Sequence, residues 1–176
     1  MKRSELEHLI RASGAIADDS ELVIIGSQSI LGQFAQAPPL LLVSMEADIY
    51  PKNKPALAAL VDGSIGEGSF FHEQFGYYAQ GVGPQTAVLP EGWKKKLVSI
   101  NNKNTNGITG LCLEVHDLAV SKYVAGRAKD LQFTRELAKH KMTDQKTLHS
   151  RLNKTRIAKA IKTIIKSRID ADFKIK

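Results

Sequence analysis

A chain of 176 residues, 43% apolar and 24% charged, has the composition of an ordinary soluble globular protein, with length for one proper core plus a small helical appendage. Its single cysteine, Cys112, excludes an internal disulfide and a cysteine-based zinc site and points to a reducing cytoplasm. The start, MKRSELEHLIRAS, lacks the apolar core of a signal peptide, and no apolar stretch approaches the ~20 residues that cross a bilayer. The net charge of +7 is uneven: residues 131–176 hold 13 Lys/Arg against 4 Asp/Glu, and residues 1–130 hold 12 against 14. A basic tail of this kind either contacts nucleic acid or another polyanion, or is a solvated helix face.

In chain order, residues 3–12 read as a short amphipathic helix with Leu6, Leu9 and Ile10 on one face. Residues 21–25 read as a strand ending at Gly26, and 28–36 as a helix stopped by Pro38-Pro39. A second strand is expected over 40–50, ended by Pro51, with Leu42, Val43, Met45, Ala47 and Ile49 buried. A helix over 54–62 follows, with Pro55 in its first turn. DGSIGEGSFFHEQFGYYAQGVGP, rich in Gly and aromatics, lacks a helical period and reads as a functional loop, or as a loop with one strand over 77–82. Strands over 97–100 and 111–115 flank the turn NNKNTNG, and Glu114 falls on the second of them. From Asp117, a fair N-cap, the chain turns helical, with Gly126 a candidate C-cap. A helix is expected over 128–140, and one or two more over roughly 144–169. In the last, Ile157, Ile161, Ile164, Ile165 and Ile169 repeat at helical spacing beside a Lys/Arg face.

Mixed strands and helices followed by helices alone predict an α+β fold: a small mixed β-sheet flanked by helices over 1–115, then a helical region with a basic tail over 116–176.

Two features carry candidate chemistry. Gly26-Ser27 joins a strand to a helix, where a glycine lets backbone approach a ligand and helix N–H groups seat a phosphate; the plainer reading is a turn with Ser27 as N-cap. Glu46 and Asp48 lie two apart on a strand, so both face one side. Two such carboxylates repel unless a cation such as Mg²⁺ joins them, or unless the strand is an edge in contact with water or Lys. Weaker candidates are Lys122, Lys129 and Asp130, seven or eight residues apart, a spacing that a continuous helix would put near one face, or ordinary surface charge; Glu114 as a third carboxylate or an exposed strand residue; and the aromatics Phe70, Phe71, Phe75, Tyr77 and Tyr78, as base-stacking groups or as core. His72 with Glu73 is a weak candidate for a general base.

A Gly-Ser pair followed by an acid-x-acid strand resembles the signature of the DNA-polymerase-beta-type nucleotidyltransferase superfamily. GSQSILGQF, SMEADIYP, DGSIGEGSFFHEQFGYYAQGVGP, TAVLPEGW and LEVHDLAVSKYVAGRAKDLQF resemble a bacterial nucleotidyltransferase-like family of unassigned function, similar to the AbiEii toxins of abortive-infection systems. The resemblance covers roughly residues 1–140. It implies an enzyme that binds a nucleoside triphosphate with Mg²⁺ (or Mn²⁺) and moves a nucleotide onto RNA, tRNA included, or onto protein. Gly26 and Ser27 correspond to the nucleotide-binding pair, Glu46 and Asp48 to the metal-binding acids, and Lys122 and Asp130 to the lysine and acid of the toxin-like helix motif. The first acid is Glu rather than the commoner Asp, and no clear third acid appears. The expected partners are a nucleoside triphosphate, RNA on the basic C-terminal helix, and an antitoxin or a second copy of the chain. A second reading is a catalytically inactive binding or regulatory module on the same fold.

Overall fold

The structure is a computed structural model that describes residues 1–174. The chain forms two compact units. The first comprises residues 1–86 and 97–113, and the second comprises residues 87–96 and 114–174.

The first unit is built on a sheet of five strands among the described residues: β1 (Glu21–Ile24), β2 (Glu46–Pro51), β3 (Tyr78–Gly81), β4 (Val98–Ile100) and β5 (Thr109–Cys112). Their spatial order is β3-β2-β1-β5-β4. β1 runs antiparallel to β2 and parallel to β5; β2 and β3 are parallel, and β4 and β5 antiparallel. The sheet is therefore mixed, and the fold is α+β. Leu22, Val23 and Ile24 of β1 are all buried, as befits a central strand covered on both faces.

The helix α1 (Arg3–Ala17) packs on β1, β2, β3 and β5. Its apolar face, Leu6, Leu9 and Ile10, is fully buried. It runs five residues past the sequence expectation because Gly14 and Ala17 continue the buried stripe. The helices α2 (Ala58–Ile65) and α3 (Phe70–Phe75) complete the unit.

Several expectations are corrected. Residues 28–36 do not form a full helix: a 3₁₀ turn, Ser27–Gly32, takes their place. The strand expected over 40–50 begins only at Glu46, after a 3₁₀ turn at Pro39–Leu41. Val43 is 73% exposed and Met45 55%, so only Ala47 and Ile49 of the expected buried set are buried core, with Leu42 half-buried. Pro51 is the last residue of β2, paired with Leu22, rather than its stop. The helix expected from residue 54 begins with a 3₁₀ turn at Pro55–Leu57. The Gly-rich segment is no plain loop. Ser69 caps α3 by accepting the His72 N–H, and Gly76 closes that helix at φ 74°.

The second unit holds α4 (Val115–Ala125), α5 (Ala128–Lys139), α6 (Gln145–Asn153) and α7 (Lys159–Asp172). Glu114 is not on a strand but is the N-cap of α4, and Asp117 lies in the first turn instead of capping it. Gly126, at φ 67°, ends α4 as expected. On α7, Ile165 and Ile169 are buried, whereas Ile161 and Ile164 are 45% and 53% exposed.

A buried acid ties the first unit together. Asp19 is 5% exposed. It accepts the backbone N–H groups of Glu21, Asn53 and Lys54 and the Asn53 amide at 2.8–3.1 Å. Burial opposes its charge, but these donors outweigh burial and hold its carboxyl below the usual range. Its stabilisation is present above the unfolded carboxyl pKa and is lost as pH falls through the lower folded value. Asp19→Ala is expected to cost about 2–3 kcal/mol in urea denaturation near neutral pH, with the gap to the parent narrowing at acid pH.

Candidate active site

The geometry of the first unit starts from the pairing of β1 with β2. Past Ile24, the Ile25 N–H donates to the Asp48 carbonyl at 3.0 Å, so the chain arrives at Gly26 alongside Asp48. A Cβ built on Gly26 would lie 1.8 Å from Asp48 Oδ2. The carboxylate thus occupies the space of the missing side chain. Glycine is required here by close approach, since Gly26 has an ordinary φ of −83°. Ser27 opens the 3₁₀ turn that follows and is partly exposed.

Directly opposite residues in neighbouring strands point to the same face. Glu46 pairs with Tyr78, and Asp48 with Gln80, so these four side chains share one face while Ala47, Ile49 and Ala79 enter the core. Glu46 and Asp48 are partly exposed. The Tyr78 hydroxyl donates to Glu46 Oε2 at 3.2 Å. Burial, then the Glu46 charge, push the Tyr78 hydroxyl up to about 12, so it stays a donor through the neutral range. The His72 ring lies 4.6 Å from that of Tyr78, and its Nδ1 accepts the Gly68 N–H at 3.1 Å, which leaves the ring proton of the neutral form on Nε2. Gln80 in turn donates to Asp62 at 3.0 Å.

Sequence reasoning singled out Tyr78 only as an aromatic and His72 only beside Glu73; the pairing register supplies their connection to Glu46. Phe71, Phe75 and Tyr77 cluster instead with His8 of α1, with ring centroids 4.7–6.1 Å apart. Phe70 is 90% exposed. Gln28 and Ser29 had no sequence signal beyond the turn. Both are fully buried, and the Gln28 amide and Ser29 hydroxyl have no hydrogen-bond partner among the described residues, an arrangement that costs stability.

The described residues contain no group of three His, Cys, Asp or Glu suited to a metal. Two carboxylates on one face still match the way Mg²⁺ is usually held, by one or two carboxylates with phosphates and water rather than by an all-protein cage. They do not match a closed structural site.

In the second unit Lys122 and Asp130 do meet, though not along one helix. Gly126 ends α4, and the chain turns back into α5, so Lys122 Nζ lies 3.2 Å from Asp130 Oδ1 across the turn. Arg127 holds the other oxygen at 2.6 Å. Lys129 is exposed and Asp130 is 1% exposed. Burial disfavours the Asp130 charge, but the Arg127 and Lys122 contacts outweigh it and hold the carboxyl below the usual range. Such a group is a weak base and a firm anchor. The Lys122 ammonium also sits 5.8 Å from the Phe133 ring centroid.

A further buried cluster was not anticipated in the sequence. Asp117 is fully buried between Lys96 and Arg151, each at 3.3 Å; burial outweighs both cations and raises its carboxyl pKa. Glu114 binds His116 Nδ1 at 2.6 Å, while His116 Nε2 accepts the Asp144 N–H at 2.9 Å. A backbone N–H can only donate, so this geometry describes a neutral imidazole with its proton on Nδ1. Glu114 is thereby committed to capping α4, to the His116 ring and to its ion pair with Arg151 at 3.9 Å.

Gly26→Ala is expected to lower stability by about 1–3 kcal/mol, because Asp48 must move. Gly63→Ala, where a Cβ meets nothing within 4 Å, is expected to leave stability unchanged or slightly raised. Paired urea melts compare the two.

A search of characterised proteins and of solved structures returns no match. A family model described as "Nucleotidyltransferase of unknown function (DUF6036)" matches residues 4–175, which takes in both units. The chain therefore belongs to this nucleotidyltransferase family.

Proposed function

We propose that this protein is an Mg²⁺-dependent nucleotidyltransferase, with Mn²⁺ as substitute, that moves a nucleotide from a nucleoside triphosphate onto an RNA hydroxyl, tRNA included, or onto a protein hydroxyl. The observation that carries this reading is the Asp48 carboxylate standing over the Cα of Gly26, with Glu46 on the same face. Family membership supports transfer of a nucleotide.

In the proposed reaction the acceptor hydroxyl oxygen bonds to the α-phosphorus. The bond from that phosphorus to the bridging oxygen breaks, and pyrophosphate leaves with the electron pair. The hydroxyl proton passes to solvent. Glu46 and Asp48 hold the cation, which supplies neutralisation of phosphate charge. Gly26 and Ser27 seat the β- and γ-phosphates, the backbone by close approach and Ser27 by its hydroxyl. Tyr78 orients Glu46. Within the second unit Asp130, being a weak base, orients Lys122 rather than taking a proton.

In this reading the protein acts in the cytoplasm, in a toxin-antitoxin or phage-defence setting akin to the AbiEii toxins, with an antitoxin or a second copy as protein partner. Two features fit the cytoplasmic part of this reading: the only cysteine is fully buried with its thiol pushed up to about 12, and no described helix is long and apolar enough to cross a membrane. The exposed Ile161 and Ile164 are where self-association would occur. One observation favours the second reading, an inactive binding or regulatory module: no third acid joins Glu46 and Asp48 in a metal-suited group among the described residues.

The test is transfer of label from each of four α-labelled nucleoside triphosphates, with Mg²⁺, into the RNA and the protein of a bacterial lysate. Label is expected in one fraction and at least a hundredfold less with Asp48→Asn, whose melting should match the parent, in line with the large share of catalysis that electrostatic groups supply. Folded protein that binds triphosphate yet labels nothing would favour the inactive module.

A further inference from the structure

The basic residues of the second unit are not confined to its last helix. From Lys154 to Arg168 the chain holds six cations, Lys154, Arg156, Lys159, Lys162, Lys166 and Arg168, and no acid. Far earlier in sequence, Trp93-Lys94-Lys95-Lys96 forms a 3₁₀ turn. Two contacts fasten that early segment beside the later one: the Glu91 N–H donates to the Lys154 carbonyl at 3.0 Å, and Arg156 Nε donates to Glu91 Oε1 at 2.8 Å.

The lysines of these two segments divide into two groups. Lys96 turns to the buried Asp117 at 3.3 Å, and Lys162 donates to the Asn153 carbonyl at 2.9 Å; both are structural. Lys94, Lys95, Lys154, Lys159 and Lys166 are exposed. Gathering like charges is unfavourable unless a polyanion or counterions neutralise them. On the earlier segment Trp93 is partly exposed, with the Lys94 ammonium 5.7 Å from its ring centroid. An aromatic ring set among exposed lysines is the arrangement by which proteins hold single strands: the ring stacks on a base and the ammonium groups take the backbone. Duplex bases offer no open face to such a ring.

We propose that Trp93, Lys94 and Lys95, together with the exposed lysines between 154 and 166, form a binding face for single-stranded RNA. Trp93 is its stacking platform. The choice of RNA rests on the proposed RNA acceptor; the face itself does not depend on transfer.

Trp93 is the only tryptophan in the chain, so intrinsic fluorescence reports on the proposed contact directly. The full chain is titrated with a 12-nucleotide oligouridylate over a salt series, and end-labelled oligomer is followed by anisotropy in parallel. Saturable quenching is expected, with affinity falling linearly against the logarithm of salt. Lys94→Gln/Lys95→Gln and Lys159→Gln/Lys166→Gln should each weaken binding and reduce that slope by about 1.4, at roughly 0.7 for each phosphate left without its lysine. Trp93→Ala should weaken anisotropy binding on the order of tenfold. Binding without quenching, affinity and slope untouched by either lysine pair, or preference for a duplex would overturn the proposal. Equal quenching by polyglutamate or by anionic phosphatidylserine vesicles would assign the face to another partner and would also overturn it. Asp48→Asn should bind the oligomer as the parent does. Quenching without any transfer therefore refutes the nucleotidyltransferase reading alone, and transfer without quenching refutes this face alone.

Discussion

The candidate site depends on one close approach, between the backbone of Gly26 and the carboxylate of Asp48. It follows from the antiparallel pairing of β1 with β2, which sets Ile24 opposite Ile49 and carries the chain on past Asp48. That pairing is held from within the core. Leu22, Ile24 and Ile49 are fully buried, and α1 covers the strands with Leu6, Leu9 and Ile10. Hydrophobic burial thus supplies the force that brings a charged group against a bare Cα, and the absence of a side chain at residue 26 makes the contact sterically possible.

The same pairing logic extends to the edge of the sheet. Among the described residues β3 pairs only with β2, and an edge strand leaves one side open to solvent or to another group. Here α3 folds over next to it, bringing His72 against Tyr78, and Asp62 takes both the Gly81 N–H and the Gln80 amide. The edge is thereby occupied by side-chain contacts, and Tyr78 is fixed facing Glu46. Polar order on the acid face of the sheet is maintained from the strand that flanks the two acids.

How much of this was legible in the sequence divides along physical lines. The two acids were legible because a strand has a period of two, whatever its pairing. Gly26-Ser27 was legible because Gly after a β-branched run marks a turn. The helix α3 was hidden because its six residues are mostly aromatic and flanked by glycines, and its existence depends on the Ser69 cap and the cluster with His8. Glu114 read as a strand residue because LCLEV alternates; only the tertiary structure decides that the strand stops at Cys112 and that Glu114 turns to accept the His116 N–H. Lys122 and Asp130 were paired for a mistaken reason. Spacing suggested one helix face, whereas Gly126 breaks the helix and brings the two together across the break. Asp117 read only as an N-cap; its burial and ion pairs carried no signal, since its partners Lys96 and Arg151 are 21 residues before it and 34 after it.

The second unit therefore sorts its positive charge by depth. Cations that reach a buried acid, such as Lys96 and Arg151 on Asp117 or Lys122 and Arg127 on Asp130, are spent on holding helices together. An acid buried to that degree is tolerable only with such partners, since an unpaired buried charge is strongly destabilising. The exposed Lys154, Lys159 and Lys166 reach no buried acid among the described residues, and no acid stands between Lys154 and Arg168 in the chain. Net charge alone does not distinguish these two populations. Burial does, and it identifies which of the basic residues remain available to a polyanion.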